Sequence, residues 1–215
     1  MTEGLGLRDR KKLETWRLIH DAAATLFLQR GYETVSVDDI AKAANVAPST
    51  FFNYFTTKES VVFDPDPADL LMVRELLARR PPGEELWTSL GEVLLGYLTS
   101  MGSRLVTQKK LKASSPALAD CGRELGDRVC EVLVQWAAER HPDVPALRAL
   151  LLINLSLAAV LTSFTAWDPD TGVTEFLAMT HQCLDQAAAG VAPAGPGAPA
   201  SAAGRPRGSR EARKS

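Results

Sequence analysis

The ten residues VAPSTFFNYF at 46–55 constrain the fold more than any other stretch of the chain. Phe51, Phe52, Tyr54 and Phe55 crowd four rings into the last five side chains. On a helix, residues four apart share a face. Phe51 and Phe55 then point one way and Ser49 and Asn53 the other, with Thr50, Phe52 and Tyr54 on the flanks. A strand would align Phe51 with Asn53 and Phe55, mixing rings and amide on one side. Pro48 favours the helix, because its fixed φ and missing N–H suit a first turn. The two rings can anchor such a helix to Leu26, Ile40, Ala41 and Val46. The reverse side is left small and polar.

The neighbouring residues also read as helix. Between Lys11 and Arg30, Ile19, Ala22, Ala23, Leu26 and Phe27 recur at spacings near three and four. Gly31 ends that helix as a C′ residue. Ser36 can cap a short helix that carries Asp38 and Asp39 in its first turn. Asn45 tolerates the left-handed backbone of a tight turn. Thr56 or Thr57 offers a further cap, with Lys58 and Glu59 behind it. Asp64-Pro65-Asp66-Pro67 then breaks the chain. Helical patterns follow at about 68–80, 84–112, 116–140, 145–167 and 172–189, separated by Pro81-Pro82-Gly83, Ser114-Ser115-Pro116, His141-Pro142 and Asp168-Pro169. No period-two run and no internal repeat is evident, so the expected fold class is all-α. From Gly190 the chain is mostly Ala, Gly, Pro and Ser, a composition that buries too little surface to order itself. The expected divisions are 1–60, 61–189 and a disordered basic tail at 190–215.

Charge is distributed unevenly. Residues 1–60 hold eight basic groups against eight acids, 61–189 eleven against seventeen, and 190–215 five against one. The segment RDRKKLETWR at 8–17 is a modest positive patch. Cys121, Cys130 and Cys183 show no metal-ligand or disulfide spacing, which fits reduced thiols in a cytoplasm. The charged N-terminus is unlike a secretory signal. The nineteen residues from Ala149 to Trp167 carry no charge and reach the length of a membrane span. Asn154, Ser156, Thr162, Ser163 and Thr165 within it, and the lack of a basic flank, favour a helix buried in a dimer core, with no membrane partner.

A short helix, a tight turn and a second short helix make a helix-turn-helix. In that arrangement the second helix enters the DNA major groove, its N-terminal residues on base edges. Asn53 can donate and accept, suiting adenine or a phosphate. Ser49 and Thr50 permit close approach, and Pro48 and the Thr50 methyl can touch thymine methyls. Tyr54 and Lys58 can reach phosphates. Ser36 and the amides around Val37 offer a helix N-terminus to another. The same periodicity also fits a helical corner packed on the rest of the chain. No nucleophile–base set, phosphate loop or metal-ligand cluster is visible, so neither a catalytic site nor a cofactor or metal is expected.

Residues about 13–60 resemble the DNA-binding domain of the TetR family of bacterial transcriptional regulators. The resemblance rests on AAATLFLQRGYETVSVDDIAKAANVAPSTFFNYFTTKESV. It has a helix ending at a glycine–aromatic pair, a capped helix with Ile40-Ala41, and an aromatic recognition helix closed by Phe55 and then Lys58-Glu59. Departures are Asn45 at the turn glycine, Ala47 at the serine cap, and Phe52-Asn53-Tyr54-Phe55 in place of aromatic-x-His-Phe. The resemblance implies a helix-turn-helix head on a larger helical ligand-binding and dimerisation domain. It implies a homodimer on a palindromic operator in double-stranded DNA, usually as a repressor released by a small-molecule effector. Its operator contacts would fall on Ser36, Val37, Pro48, Ser49, Thr50, Phe52, Asn53, Tyr54 and Lys58. Arg8, Arg10, Lys11 and Lys12 would add salt-sensitive contacts to phosphates or the minor groove. By the same analogy 145–167 and 172–189 would form a four-helix bundle with their mates, Asn154 or Ser156 bonding across it. The segments 68–80, 84–112 and 116–140 would enclose a pocket for Trp87, Tyr97, Met101, Trp136 and Phe164 to line.

Overall fold

The structure, a computed structural model, describes residues 6–118, 121 and 123–191. It is all-α, as expected, with no strand among the described residues. The helices are α1 (Leu7–Arg30), α2 (Val37–Ala43), α3 (Pro48–Phe52), α4 (Ser60–Phe63), α5 (Asp69–Ala78), α6 (Leu86–Met101), α7 (Ser103–Ser114), α8 (Arg123–Arg140), α9 (Ala146–Ala166) and α10 (Val173–Val191). Single 3-10 turns lie at Tyr32–Thr34, Pro116–Leu118 and Pro169–Thr171.

The N-terminal helices are set by local chemistry. Gly31, at φ 81°, ends α1, and its N–H donates to the Phe27 carbonyl. Ser36 and Asp39 form a reciprocal capping box on α2. The Asp39 N–H donates to the Ser36 hydroxyl at 3.1 Å, and the Ser36 N–H donates to the Asp39 carboxylate at 2.9 Å. Asn45 takes the left-handed conformation at φ 53°, and Val46 N–H closes the turn onto the Ala41 carbonyl. Ala47 gives α3 no side-chain cap, and Pro48 fills its first turn. Phe51 and Phe55 are 0% and 1% exposed. Burying one such ring contributes about 1.5–3 kcal/mol. They pack with Trp16, Ile19, Leu26, Phe27 and Ile40 in one cluster, the Trp16 and Phe55 rings 5.4 Å apart. Val61, Val62 and Phe63 of α4 belong to the same cluster, as do Leu111 of α7 and Leu118 beyond it.

A second cluster unites α5, α6, α8, α9 and α10 through Leu90, Tyr97, Leu133, Ile153 and Phe176. Phe176 lies between Phe164 and Trp167, at 5.9 and 5.0 Å. The Ser163 and Thr180 hydroxyls, both buried, bond at 2.8 Å between α9 and α10. Helix α7 spans the two clusters. Lys109 donates to the Phe164 and Thr165 carbonyls at the end of α9, and Lys110 pairs with Asp170. On the other side Gln108 donates to the Val62 carbonyl and Ser115 to Glu33.

Several expected elements differ. The pattern at 84–112 is two helices, broken at Gly102 with φ 49° and ψ −122°, a conformation that only glycine adopts readily. The pattern at 116–140 opens with a 3-10 turn, and its helix starts at Arg123. Helix α10 reaches Val191, into the segment read as a tail; the rest of that segment lies outside the described residues. Helix α9 is the one described helix long and apolar enough to cross a membrane. Its Leu152, Ile153 and Ala159 are buried in the second cluster's helices, while Leu147, Leu150, Leu151 and Leu161 are exposed. Ser156 is 0% exposed and donates to the Ile153 carbonyl of its own helix, so it cannot bond across the outer face. Asn154 is exposed there, its amide donating to the Leu150 carbonyl.

Truncating a ring of the first cluster tests the anchoring of α3. Phe55→Ala is expected to cost about 3–5 kcal/mol, the range for removing a buried aromatic ring, read as a lowered melting and urea midpoint; an unchanged midpoint would remove Phe55 from the anchor. The capping box carries a pH dependence. Bonds from the Ser36 hydroxyl and then its backbone N–H hold the Asp39 carboxyl below its ordinary value of 3.8. A depressed carboxylate stabilises the fold above its unfolded pKa and loses that effect as pH falls through the folded one. Asp39→Ala should therefore lower the urea midpoint at neutral pH, with the gap to wild type closing below 3.8. A gap of equal size at both ends would exclude the carboxylate from the cap's energetics.

Candidate nucleic-acid interface

The burial that seats α3 also decides what it presents. Pro48, Ser49, Phe52 and Asn53 are exposed, and Thr50 and Tyr54 are half-buried. Phe52 is 59% exposed and leans edge-on against Phe51. The face is therefore a small hydroxyl, a methyl-bearing hydroxyl, a proline ring, a bare phenyl and an amide, with no acid among them. Such a surface can approach a base edge closely without repelling phosphate. Asn53 and Tyr54 also border a cleft shared with Lys12 and Trp16 of α1 and Leu70 of α5. Arg10 and Lys11 stand exposed near the start of α1.

Two of the residues expected at phosphates are engaged within the head. The Lys58 ammonium donates to the Tyr32 and Val35 carbonyls at 2.8 and 3.1 Å, and lies 3.9 Å from the Tyr32 ring centroid. One of its three donors is left over. The Tyr32 hydroxyl donates to Glu59, which ties the segment after α3 to the end of α1. The Ser36 hydroxyl is shared with Asp39 at 2.6 Å. What remains for an anion there is backbone amide at Val37, which is half-buried. The Lys58 arrangement shows in no local motif, since its partners lie 26 and 23 residues away.

The residues expected to line a pocket all belong to the second cluster, but with different neighbours. Tyr97 and Met101 are buried, and Trp87, Trp136 and Phe164 partly so. Trp136 packs edge-on against His141, and Phe164 against Trp167 and Phe176. Of the five, Met101 borders a cleft at the junction of α1, α5, α6 and α7.

An ion network at that junction was not visible in the sequence. Arg17, counted there in the basic patch, donates to Asp66 at 2.9 Å. Arg104 at the start of α7 donates to Asp69 at 2.6 Å and lies 3.8 Å from Asp66. Both carboxylates are buried, at 6% and 4% exposure. Asp69 also accepts the Asp66 N–H, and Asp66 accepts the Ala68 N–H. Burial opposes the Arg104 charge, but the hydrogen bond and charge of Asp69 outweigh it and raise the guanidinium pKa. The buried Tyr97 hydroxyl has its pKa raised by burial and then by the Asp69 charge. In the sequence Asp66 looked only like part of a proline-rich break, and Asp69 like an acid near the start of the helical pattern at 68–80. A partner 49 residues away, as Arg17 is from Asp66, leaves no local signal.

Comparison with known proteins adds an independent line. Residues 19–64 match the family model described as bacterial regulatory proteins, tetR family. The putative mycofactocin biosynthesis transcriptional regulator MftR of Mycobacterium tuberculosis (strain ATCC 25618 / H37Rv) is 32% identical over 178 residues, covering 78% of this chain and 88% of MftR. The HTH-type transcriptional regulator TcmR of Streptomyces glaucescens is 42% identical over 81 residues, 38% of this chain and 36% of TcmR. Among solved structures, the SmeT–triclosan complex aligns with a TM-score of 0.57 at 17% identity, covering 82% of this chain and 91% of SmeT, a likeness of fold. With a relative matched along nearly its whole length and the head matched by the family model, the chain belongs to the TetR family of bacterial transcriptional regulators.

Proposed function

We propose that the protein is a cytoplasmic, ligand-responsive repressor that binds a palindromic operator as a homodimer and leaves it when a small molecule binds. In this reading residues 1–60 meet DNA, 61–189 dimerise and hold the effector, and 190–215 is an appended basic tail. The observation that carries it is the two-sided segment of α3 and the turn after it, which buries Phe51 and Phe55 and presents Ser49 and Asn53. Pro48, Ser49, Thr50, Phe52, Asn53 and Tyr54 face the groove, with Ser36 and Val37 at its edge. Arg10 and Lys11 neutralise phosphates, and the remaining donor of Lys58 supplements them. The exposed leucines of α9 support a pairing of α9 and α10 with their copies, which would withdraw that apolar stripe from water. Two heads in such a dimer would meet successive major grooves about 34–36 Å apart. A ligand that prefers one spacing of the heads shifts DNA affinity by its differential binding to the two arrangements. The relatives' names describe transcriptional regulators, which agrees with a role in binding DNA and not in catalysis.

Selection from random double-stranded DNA should enrich a palindrome. On that site Asn53→Ala should bind about 5–150-fold more weakly, as for loss of a base contact worth about 1–3 kcal/mol, while its melting midpoint stays at the wild-type value. Recovery of no palindrome, or a gel-shift curve for Asn53→Ala that overlays wild type, would overturn the assignment of α3 as the reading helix.

A further inference from the structure

The ion network of Arg17, Asp66, Asp69 and Arg104 lines a cleft of about 310 Å³ at the junction of α1, α5, α6 and α7. That size is at the lower end for small-molecule sites, which run from about 300 to 1,000 Å³. Trp16, Met72 and Met101 also line the cleft. Trp16 stacks on His20, another lining residue, their rings 5.1 Å apart at 16°. Thioethers adapt to irregular shapes and favour aromatic rings.

The charges select the ligand. Both guanidiniums are committed, Arg17 to Asp66 and Arg104 to Asp69. Asp21, also lining the cleft, has a side chain 78% exposed and bonds to the His20 ring at 3.0 Å. Three carboxylates thus meet two guanidiniums, and the least neutralised group is negative. An anion entering the cleft would face all three acids. A cation would be drawn to Asp21, the one carboxylate of the three with no guanidinium against it among the described residues, and away from Asp66, which lies 2.9 Å from Arg17 and 3.8 Å from Arg104.

We propose that this junction cleft binds a small organic cation with an aromatic body, its positive charge against Asp21 and its rings against Trp16, Met72 and Met101. The site is distinct from a pocket inside the second cluster. Its occupant would touch α1 of the head and α5 and α7 at once, so occupancy would favour one setting of the head. The binding claim does not rest on the DNA-binding reading.

The test is isothermal titration calorimetry on the full chain without DNA. The probe is N-methylquinolinium, with 1-naphthoate as an anion of similar shape. Binding of one quinolinium per chain, and no binding of naphthoate, is expected. Asp21→Asn should weaken quinolinium about fivefold, the upper end for an exposed ion pair. Ser100→Trp, which places an indole at an exposed position lining the cleft, should abolish binding while the melting midpoint holds. No binding of the cation, equal binding of the anion, or wild-type affinity in both variants would overturn the proposal. Because DNA is absent, failure here leaves the operator reading intact, and failure of operator selection leaves this site intact.

Discussion

Everything in the head follows from the burial of two rings one helical turn apart. Helix α3 is five residues long and lacks a side-chain cap, and a helix so short does not persist alone. It exists because Phe51 and Phe55 enter a cluster already walled by Trp16, Ile19 and Ile40. The rotation that buries those rings leaves Ser49 and Asn53 outside. Core and exposed face are thus one constraint. A slip of one position along the helix would turn each side chain by about 100°, costing the core its rings and the surface its polar set together.

What could be read in the sequence was local. The four-residue spacing of the phenylalanines, the Ser36 cap and the left-handed turn at Asn45 each depend on a few neighbours, and each stands where the spacing put it. Gly102 was legible in principle, since a glycine inside a helical pattern is a break signal, yet the pattern read over 84–112 ran across it. Lys58, Arg17, Asp66 and Asp69 were misread or missed because a charged side chain looks the same in sequence whether it meets solvent or a partner dozens of residues away. The site shows the same divide. The exposed face of α3 came from periodicity, whereas the inward turn of Lys58 depends on carbonyls at Tyr32 and Val35 that only the folded head supplies.

The junction between the clusters is polar where the clusters are apolar. Buried ion pairs add little net stability, because desolvation offsets their attraction, but an unpaired member is costly. Asp66 and Asp69 therefore make a poor adhesive and a demanding register. With Arg17 on the head and Arg104 on α7, the pairs are satisfied in few relative settings of the two parts. Lys109 and Lys110 tie the other side of α7 to the end of α9 and the turn after it. Movement in the helices assigned to dimerisation thus has a short mechanical route to the helices assigned to DNA.

Leu111 of α7 and Leu118 beyond it finish the core that α1 to α4 begin. In lineages that trade recognition heads by recombination, a crossover just after the DNA-reading helices would leave that core capped by a stranger's leucines. Chimaeras of this chain would inherit a mismatched lid unless the α7 segment travelled with the head. Ser49 and Asn53, exposed on the outer side of α3 and the turn after it, lie outside that shared core, so changes there leave the α7 lid untouched.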